Sequence, residues 1–513
     1  MNAMNPINTQ TIRYRLADGI ATLTFDEQGS PVNTMSAQWQ DDMARITAQV
    51  VQDRAQIRGV VLASAKSTFF AGADLRAVMR LRPSDGPQVF QAVERMKQQF
   101  RTLETLGVPV VACLNGSALG GGWELALVGH HRIALNQPSV RFGLPEVTLG
   151  LIPGGGGITK MTRLLGLQAA QPYLLEGRLF NPEQALKLGL VHALVDTPDA
   201  LLPQALALIE AQQHQPEACQ PWDRKGYTLP GGTPQQPQLA GLLSMAPALL
   251  KRSTQGRYPA PEAALAAMVE GALVDVDTAL RLESRYLATV MVGPVARNMV
   301  NTFFFNLNAI QHRPGPAAGT ASNSLPARPA QLPGLPKVPN PSVQALLDAL
   351  HPTVTRRLQH SVAQETAALL SEGLPAALVN NAGLQAAMAL GPLVLLAACG
   401  LDTTLSGQQA LSPEQAQKVW DVQPIQDRLL YRQAVEAARC LHEGVVSQVA
   451  EGNIASIFGV GFPGWTGGAL QFIYSMGVPQ FAQRCTRLAS QHGPGFVLDE
   501  AVQATLHQHQ PVY

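Results

Sequence analysis

The stretch Arg313–Pro341 holds eight prolines and no acidic residue, and no other feature of the 513-residue chain constrains its architecture as strongly. Proline fixes φ and has no N–H to give to a ladder, so such a run suits neither a helix nor a sheet core and reads as an extended linker. It divides the chain into two bodies with different patterns. Before it, β-rich and helical runs alternate; after it, everything reads helical. At roughly 100–200 residues per domain, each body is long enough to bury a core.

The first body opens on a hairpin. Thr11–Leu16 and Ile20–Phe25 alternate apolar and polar residues around Ala17-Asp18-Gly19, which supplies the turn. Ile57–Ala63 and Val108–Leu114 read as buried strands, with helical spacing over Gln91–Leu106 between them. This alternation runs to about Asp196 and predicts an α/β domain over residues 1–196. Residues 197–312 read as a helical extension and linker helix, with Leu265, Val269, Ala272 and Leu273 on one stripe. Residues 342–513 read as a helical domain in which Leu430, Ala434, Ala437, Ala438 and Leu441 form one apolar face. Leu370–Leu374 and Leu441–Val445 echo each other, as two similar helical units would.

Charge and cysteine usage exclude several classes. Thirty-seven Lys+Arg balance 36 Asp+Glu, leaving a net charge of +1 and no field to gather nucleic acid or an anionic membrane. Five cysteines lie far apart with no C-x-x-C pair, against a disulfide framework or zinc cluster and for a reducing compartment. Met1–Thr11 has neither the basic nor the apolar region of a secretory signal. The most apolar run, Ala389–Leu401, is too short to cross a bilayer. A cytoplasmic protein without a transmembrane segment is expected.

Chemistry concentrates in Asn115–Gly157. A strand ends near Leu114, and Gly120, Gly121 and Gly122 then lead into a helix near Trp123. First-turn N–H groups there have no intrahelical partner and sit at the positive end of the dipole, which suits phosphate, carboxylate or a developing oxyanion. No G-K-[ST] follows the glycines, which disfavours phosphate. A second small-residue turn, Phe69–Leu75, follows the first buried strand and can supply another backbone donor. Glu124 lies in the first turn behind the glycines, and Glu146 in a bend after the strand around His131–Leu135. Two carboxylates flanking one cavity can hold a water and divide base and acid roles. Adjacent His130 and His131 point to opposite faces of a strand and cannot share one metal ion, so no metal is expected. Gly459–Gly464 matches G-x-G-x-x-G but follows a helical run instead of a strand, which speaks against a dinucleotide site.

These motifs carry a resemblance. Residues 11 to about 196 resemble the crotonase (enoyl-CoA hydratase/isomerase) superfamily through Phe70–Leu75, Asn115–Glu124, Gly143–Glu146 and Gly150–Gly157, in that order. Gly256–Ala260 and Asn301–Asn308 resemble the linker helix of bacterial multifunctional fatty acid oxidation complex α-subunits. Pro424–Ile473 resembles the helical C-terminal domain of their 3-hydroxyacyl-CoA dehydrogenase half, with Glu372–Leu401 as its first repeat. The resemblance implies a crotonase-like β/α spiral core followed by an all-α domain. It implies that the N–H groups of Ala73 and Gly121 form an oxyanion hole for the thioester oxygen. By the same resemblance Glu124 deprotonates water for attack at Cβ and Glu146 delivers a proton to Cα. Ala71, Gly72, Asp74, Leu75, Gly120 and Gly122 would line the substrate.

The implied activity is hydration of 2-enoyl-CoA in fatty acid β-oxidation. The alternatives are Δ3-Δ2-enoyl-CoA isomerisation, or an assembly subunit whose helical half docks a thiolase; a homo-oligomer is equally compatible. There are two departures from the resemblance. No NAD-binding Rossmann domain stands between the linker helix and the helical domain, and Phe472 replaces a Tyr that relatives often carry. Neither NAD binding nor dehydrogenase activity is therefore expected, and no cofactor beyond the acyl-CoA substrate.

Overall fold

The computed structural model describes residues 6–212, 218–311, 334–401 and 420–511. The linker expected over 313–341 lies outside the described residues as far as 333. The described chain forms two compact units, one within residues 1–251 and 259–293, the other within 252–258 and 294–513. Helices Pro259–Gly271 and Val276–Met291 thus belong to the first unit, whereas the sequence pattern groups them with an extension reaching residue 312.

In the first unit, strands β1 (Ile7–Asn8), β2 (Ile12–Ala17), β3 (Ile20–Phe25), β4 (Gly59–Ser64), β5 (Val110–Leu114), β7 (His131–Leu135) and β9 (Ala193–Val195) form one sheet in that spatial order. Strands β6 (Ala118–Leu119) and β8 (Phe142–Gly143) pair separately, in parallel. β2 and β3 are the expected hairpin. Asp18 and Gly19 both have positive φ, 48° and 75°, as a tight two-residue turn requires, and Ala17 pairs with Ile20. From β3 onward every pairing is parallel.

The buried strands read as unbroken apolar runs because both faces of the sheet are covered. Val60, Leu62, Val110 and Ala112 face a core containing Trp39 and Met43 of helix Ala37–Gln52 and Phe100 of helix Gly86–Glu104. Val61, Val111 and Cys113 face a second core with Leu201, Ala205 and Ile209 of helix Leu201–Ala211. The stripe read at Leu265–Leu273 needs correction. The helix ends at Gly271, Leu273 is exposed, and the buried positions include Ala264, Leu265, Ala267 and Met268.

The second unit is helical. Leu430, Ala434, Ala437, Ala438 and Leu441 of helix Gln423–His442 are all buried, and this helix packs on Arg356–Ser371. The sequence echo marks equivalent helix ends. Glu372 and Glu443 cap these two helices, and Gly373 and Gly444 follow with φ of 84° and 71°. Phe472 lies in an aromatic cluster with Tyr431, Phe462 and Phe481. Around the G-x-G-x-x-G match, Ala455–Val460 is wound as a π-helix and Gly461 turns the chain at φ 85°. No described helix is long and apolar enough to cross a membrane.

Candidate functional site

The site is built where strand ends meet a glycine turn. After β5 the chain passes through β6 and enters helix Gly121–Ala126, with Gly120 at its N-cap and φ 54°. Gly120 has to be glycine on two counts. Its backbone is left-handed, and a Cβ there would sit 2.7 Å from Glu146 Oε1. The helix is anchored by Trp123, fully buried and stacked on Phe142 at 5.3 Å.

The turn after β4 lies alongside. Phe70 bridges Ala118 in parallel, and Leu119 N–H donates to Phe70 O. Gly122 packs so tightly on Phe70 O that no side chain fits. Gly72, at φ 107°, brings the two turns together: a Cβ on it would lie 3.8 Å from Gly121 N. Neither Ala73 N–H nor Gly121 N–H has a protein acceptor among the described residues. Two neighbouring backbone donors are thus available to an incoming oxygen. Ala71 and Ala73 are exposed and Leu75 half-buried. The Asp74 carboxylate is engaged by the backbone N–H and Nε of Arg76, at 3.0 and 3.1 Å.

Both glutamates belong to this place. Glu124 is 3% exposed, and its Oε1 accepts from Gly155 N–H at 2.6 Å and Gly157 N–H at 2.8 Å. Burial, followed by the charge of Glu283, pushes its carboxyl up to about 7, against the two glycine N–H groups and the Lys97 ammonium. Glu146 stands in the turn Pro145–Leu149 with Oε2 sealed from solvent and no hydrogen-bond partner. Burial first, then the Glu124 charge, raise it well above the usual carboxylate range. The charge of Glu124 thus reaches the Glu146 carboxyl.

Sequence reasoning passed over what lies behind Glu124. Glu283 of helix Val276–Met291 is fully buried and accepts from Gly156 N–H at 2.7 Å, Thr159 N–H at 2.8 Å and Thr159 Oγ1–H at 2.8 Å. Lys97 Nζ approaches it at 3.9 Å and donates to Leu280 O. The available signal was one acidic residue on an otherwise apolar face, between Leu280 and Leu287 at helical spacing.

The two histidines part ways. His130 Nδ1 accepts from Val110 N–H, while His131 Nε2 meets Gln212 at 2.6 Å. Burial holds both imidazoles down, at about 4.

Comparison with known proteins bears on the same region. A family model described as enoyl-CoA hydratase/isomerase matches residues 15–220. A protein named fatty acid oxidation complex subunit alpha, from Shewanella loihica, is 34% identical over 291 residues, covering 56% of this chain and 40% of the relative. Its counterpart from Shewanella baltica is 34% identical over 298 residues with the same coverage. The chain thus spans 40% of the length of the curated relatives it matches. Among solved structures, an enoyl-CoA hydratase from Bacillus anthracis is 26% identical, covers 57% of this chain and 96% of its own, and superposes with a TM-score of 0.36.

Proposed function

Residues 15–220 belong to the enoyl-CoA hydratase/isomerase (crotonase) superfamily, and from that premise we propose that the chain hydrates the 2,3 double bond of an enoyl-CoA thioester. The observation that carries this reading is the buried Glu124 carboxyl and the sealed Glu146 Oε2 beside two unengaged backbone donors.

The thioester oxygen lies between Ala73 N–H and Gly121 N–H, which take up the negative charge as the double bond polarises. Donors of this kind are typically worth about 3 kcal/mol each. Glu124, ionised above about pH 7, accepts a proton from water as the water oxygen bonds to Cβ. Electrons move onto the thioester oxygen to give an enolate. Glu146 holds its proton to higher pH than an ordinary carboxylate and transfers it to Cα, so the carbonyl reforms. Glu124 ends protonated and Glu146 ionised, and exchange with solvent resets them. Different environments push the two carboxyls to different roles, the usual sign of an acid–base pair.

Two further parts of the reading concern the rest of the chain. The helical unit contributes no hydride chemistry, and the protein binds no NAD; titrating it with NADH by fluorescence would reveal saturable micromolar binding if this is wrong. Its relatives are named as subunits of a complex, so a partner docked on the helical unit, with thiolase chemistry, is the second reading for residues 342–513. Isomerisation of a 3-enoyl-CoA needs one proton-transferring carboxylate, Glu146; the presence of Glu124 favours hydration. Assaying crotonyl-CoA hydration beside 3-enoyl-CoA isomerisation tests the choice. Hydration at the higher rate is expected, and isomerisation without hydration would reverse it.

A further inference from the structure

Helix Val276–Met291 lies outside the four motifs that carry the superfamily resemblance, yet one face of it forms the back wall of the site. Leu280, Glu283 and Leu287, at spacings of three and four, share that face. A Cβ on Gly154 would meet Leu287 Cδ2 at 2.1 Å, and one on Gly156 would meet Leu280 Cδ2 at 2.9 Å. The helix is seated directly on the glycine run. Between those leucines, Glu283 takes Gly156 N–H and both donors of Thr159. The glycines on either side of Gly156 are the two that donate to Glu124. Consecutive N–H groups of one turn are thus divided between two carboxylates, Gly155 and Gly157 toward Glu124, Gly156 toward Glu283.

We propose that Glu283 is a positioning residue for the acid–base pair: it fixes the 154–157 turn so that Gly155 and Gly157 aim their N–H groups at Glu124, and it places a like charge behind that carboxylate. The proposal rests on the acid–base reading above and extends it to a residue that touches no substrate atom.

The groups around Glu124 act on it in both directions. Glu283 comes from helix Val276–Met291 and Glu146 from the turn Pro145–Leu149, and both are acidic. Lys97, on helix Gly86–Glu104, is the opposing cation; burial lowers its proton affinity, and Glu283, Glu94 and Glu124 offset only part of that. Lys160, on helix Gly157–Leu165, is paired with Glu104, and Glu94 accepts from Ser284 Oγ–H. Neutralising Glu283 removes a repulsion from ionised Glu124, but it also withdraws support from the Lys97 proton and frees the Gly155 and Gly157 N–H groups that stabilise the Glu124 anion. These effects on the Glu124 midpoint oppose each other, so the clamp is read from the hydrogen bonds of the turn and not from the midpoint.

The test uses the full chain without substrate. Infrared titration of protein carrying ¹³C-labelled glutamate, with Glu124→Gln as the spectral reference, follows Glu124 in the parent and in Glu283→Gln. Hydrogen–deuterium exchange of the peptide spanning residues 152–158 follows the turn. The expected results in Glu283→Gln are a carboxylate stretch of ionised Glu124 displaced from the parent's, because the Gly155 and Gly157 hydrogen bonds are lost, and exchange at 155–157 at least tenfold faster. An unchanged carboxylate stretch or unchanged exchange in the folded variant overturns the proposal. Should Glu283→Gln not fold, Thr159→Val removes one donor from Glu283 and keeps the backbone; faster exchange at 155–157 then supports the clamp, and parental protection refutes it. A chain that neither hydrates nor isomerises an enoyl-CoA would refute the acid–base reading, while these substrate-free readouts still decide the role of Glu283.

Discussion

Buried charge is handled in opposite ways by the two units. In the helical unit, Arg428 is 5% exposed and pairs with Glu365 at 2.5 Å and bidentately with Glu372 at 2.6 and 2.7 Å. Arg357 similarly meets Glu436 and Glu443. Arg428 faces Glu372 in fork geometry, which fixes one helix against another. In the first unit, Glu124 is held by the N–H groups of Gly155 and Gly157, Glu146 Oε2 has no hydrogen-bond partner, and the Lys97 ammonium lies 3.9 Å from Glu283. Glu104 of the same unit, matched by Lys160 and Arg101, shows that the fold can pair a buried carboxylate when only structure is at stake. Leaving a buried carboxylate without a cation is costly and raises its proton affinity, and that property is useful to an acid–base site.

The comparison breaks most readily at the unmatched pair. Glu124→Gln and Glu146→Gln should each lower hydration kcat by roughly 10²–10⁴-fold, with circular dichroism and a cooperative melt unchanged in kind. Parental turnover in either variant would remove that residue from the mechanism. In the matched network, Arg428→Met should cost roughly 3–5 kcal/mol of unfolding free energy, because it strands Glu365 in the core. A denaturant midpoint like the parent's would mean that the pairing has little structural value.

The pH dependence of stability sharpens the contrast. The Glu124 carboxyl is raised from 4.5 to about 7, so between those values the folded chain holds a proton that the unfolded chain has released. Its contribution to stability is therefore complete below about pH 4.5 and is lost as pH rises through about 7. Glu124→Gln carries no such proton. Its stability relative to the parent should climb across that window, by up to about 3 kcal/mol, in denaturant titrations at a series of pH values. A difference independent of pH would contradict the assignment. The smallest effect belongs to Glu372→Gln. Its partner Arg428 keeps Glu365, and Glu372 itself is 42% exposed, so under about 1 kcal/mol should be lost.

Local patterns made much of this legible in the sequence. The hairpin, the buried strands, the glycine turn and both glutamates lie in short segments whose chemistry is readable in place. The meeting of Glu124 with Glu146 was suggested by family resemblance; no spacing could give it, because the Gly120 backbone that Glu146 overlies is 26 residues away. Glu283 was missed for the same reason taken further. It reaches Gly156 across 127 residues, and a glutamate on an apolar face declares its role only once its donors are placed. The echo at Glu372-Gly373 and Glu443-Gly444 was visible as a repeat, but its meaning as a helix stop needed the left-handed glycines.

The most direct test of the central claim is how the two glutamate variants divide hydration from isomerisation. Purified full-length parent, Glu124→Gln and Glu146→Gln are compared on crotonyl-CoA and on a 3-enoyl-CoA. If Glu124 activates water and Glu146 carries the Cα proton, Glu124→Gln loses hydration and retains isomerisation, while Glu146→Gln loses both. Equal residual hydration in the two variants and the parent, or loss of isomerisation confined to Glu124→Gln, would contradict the assignment.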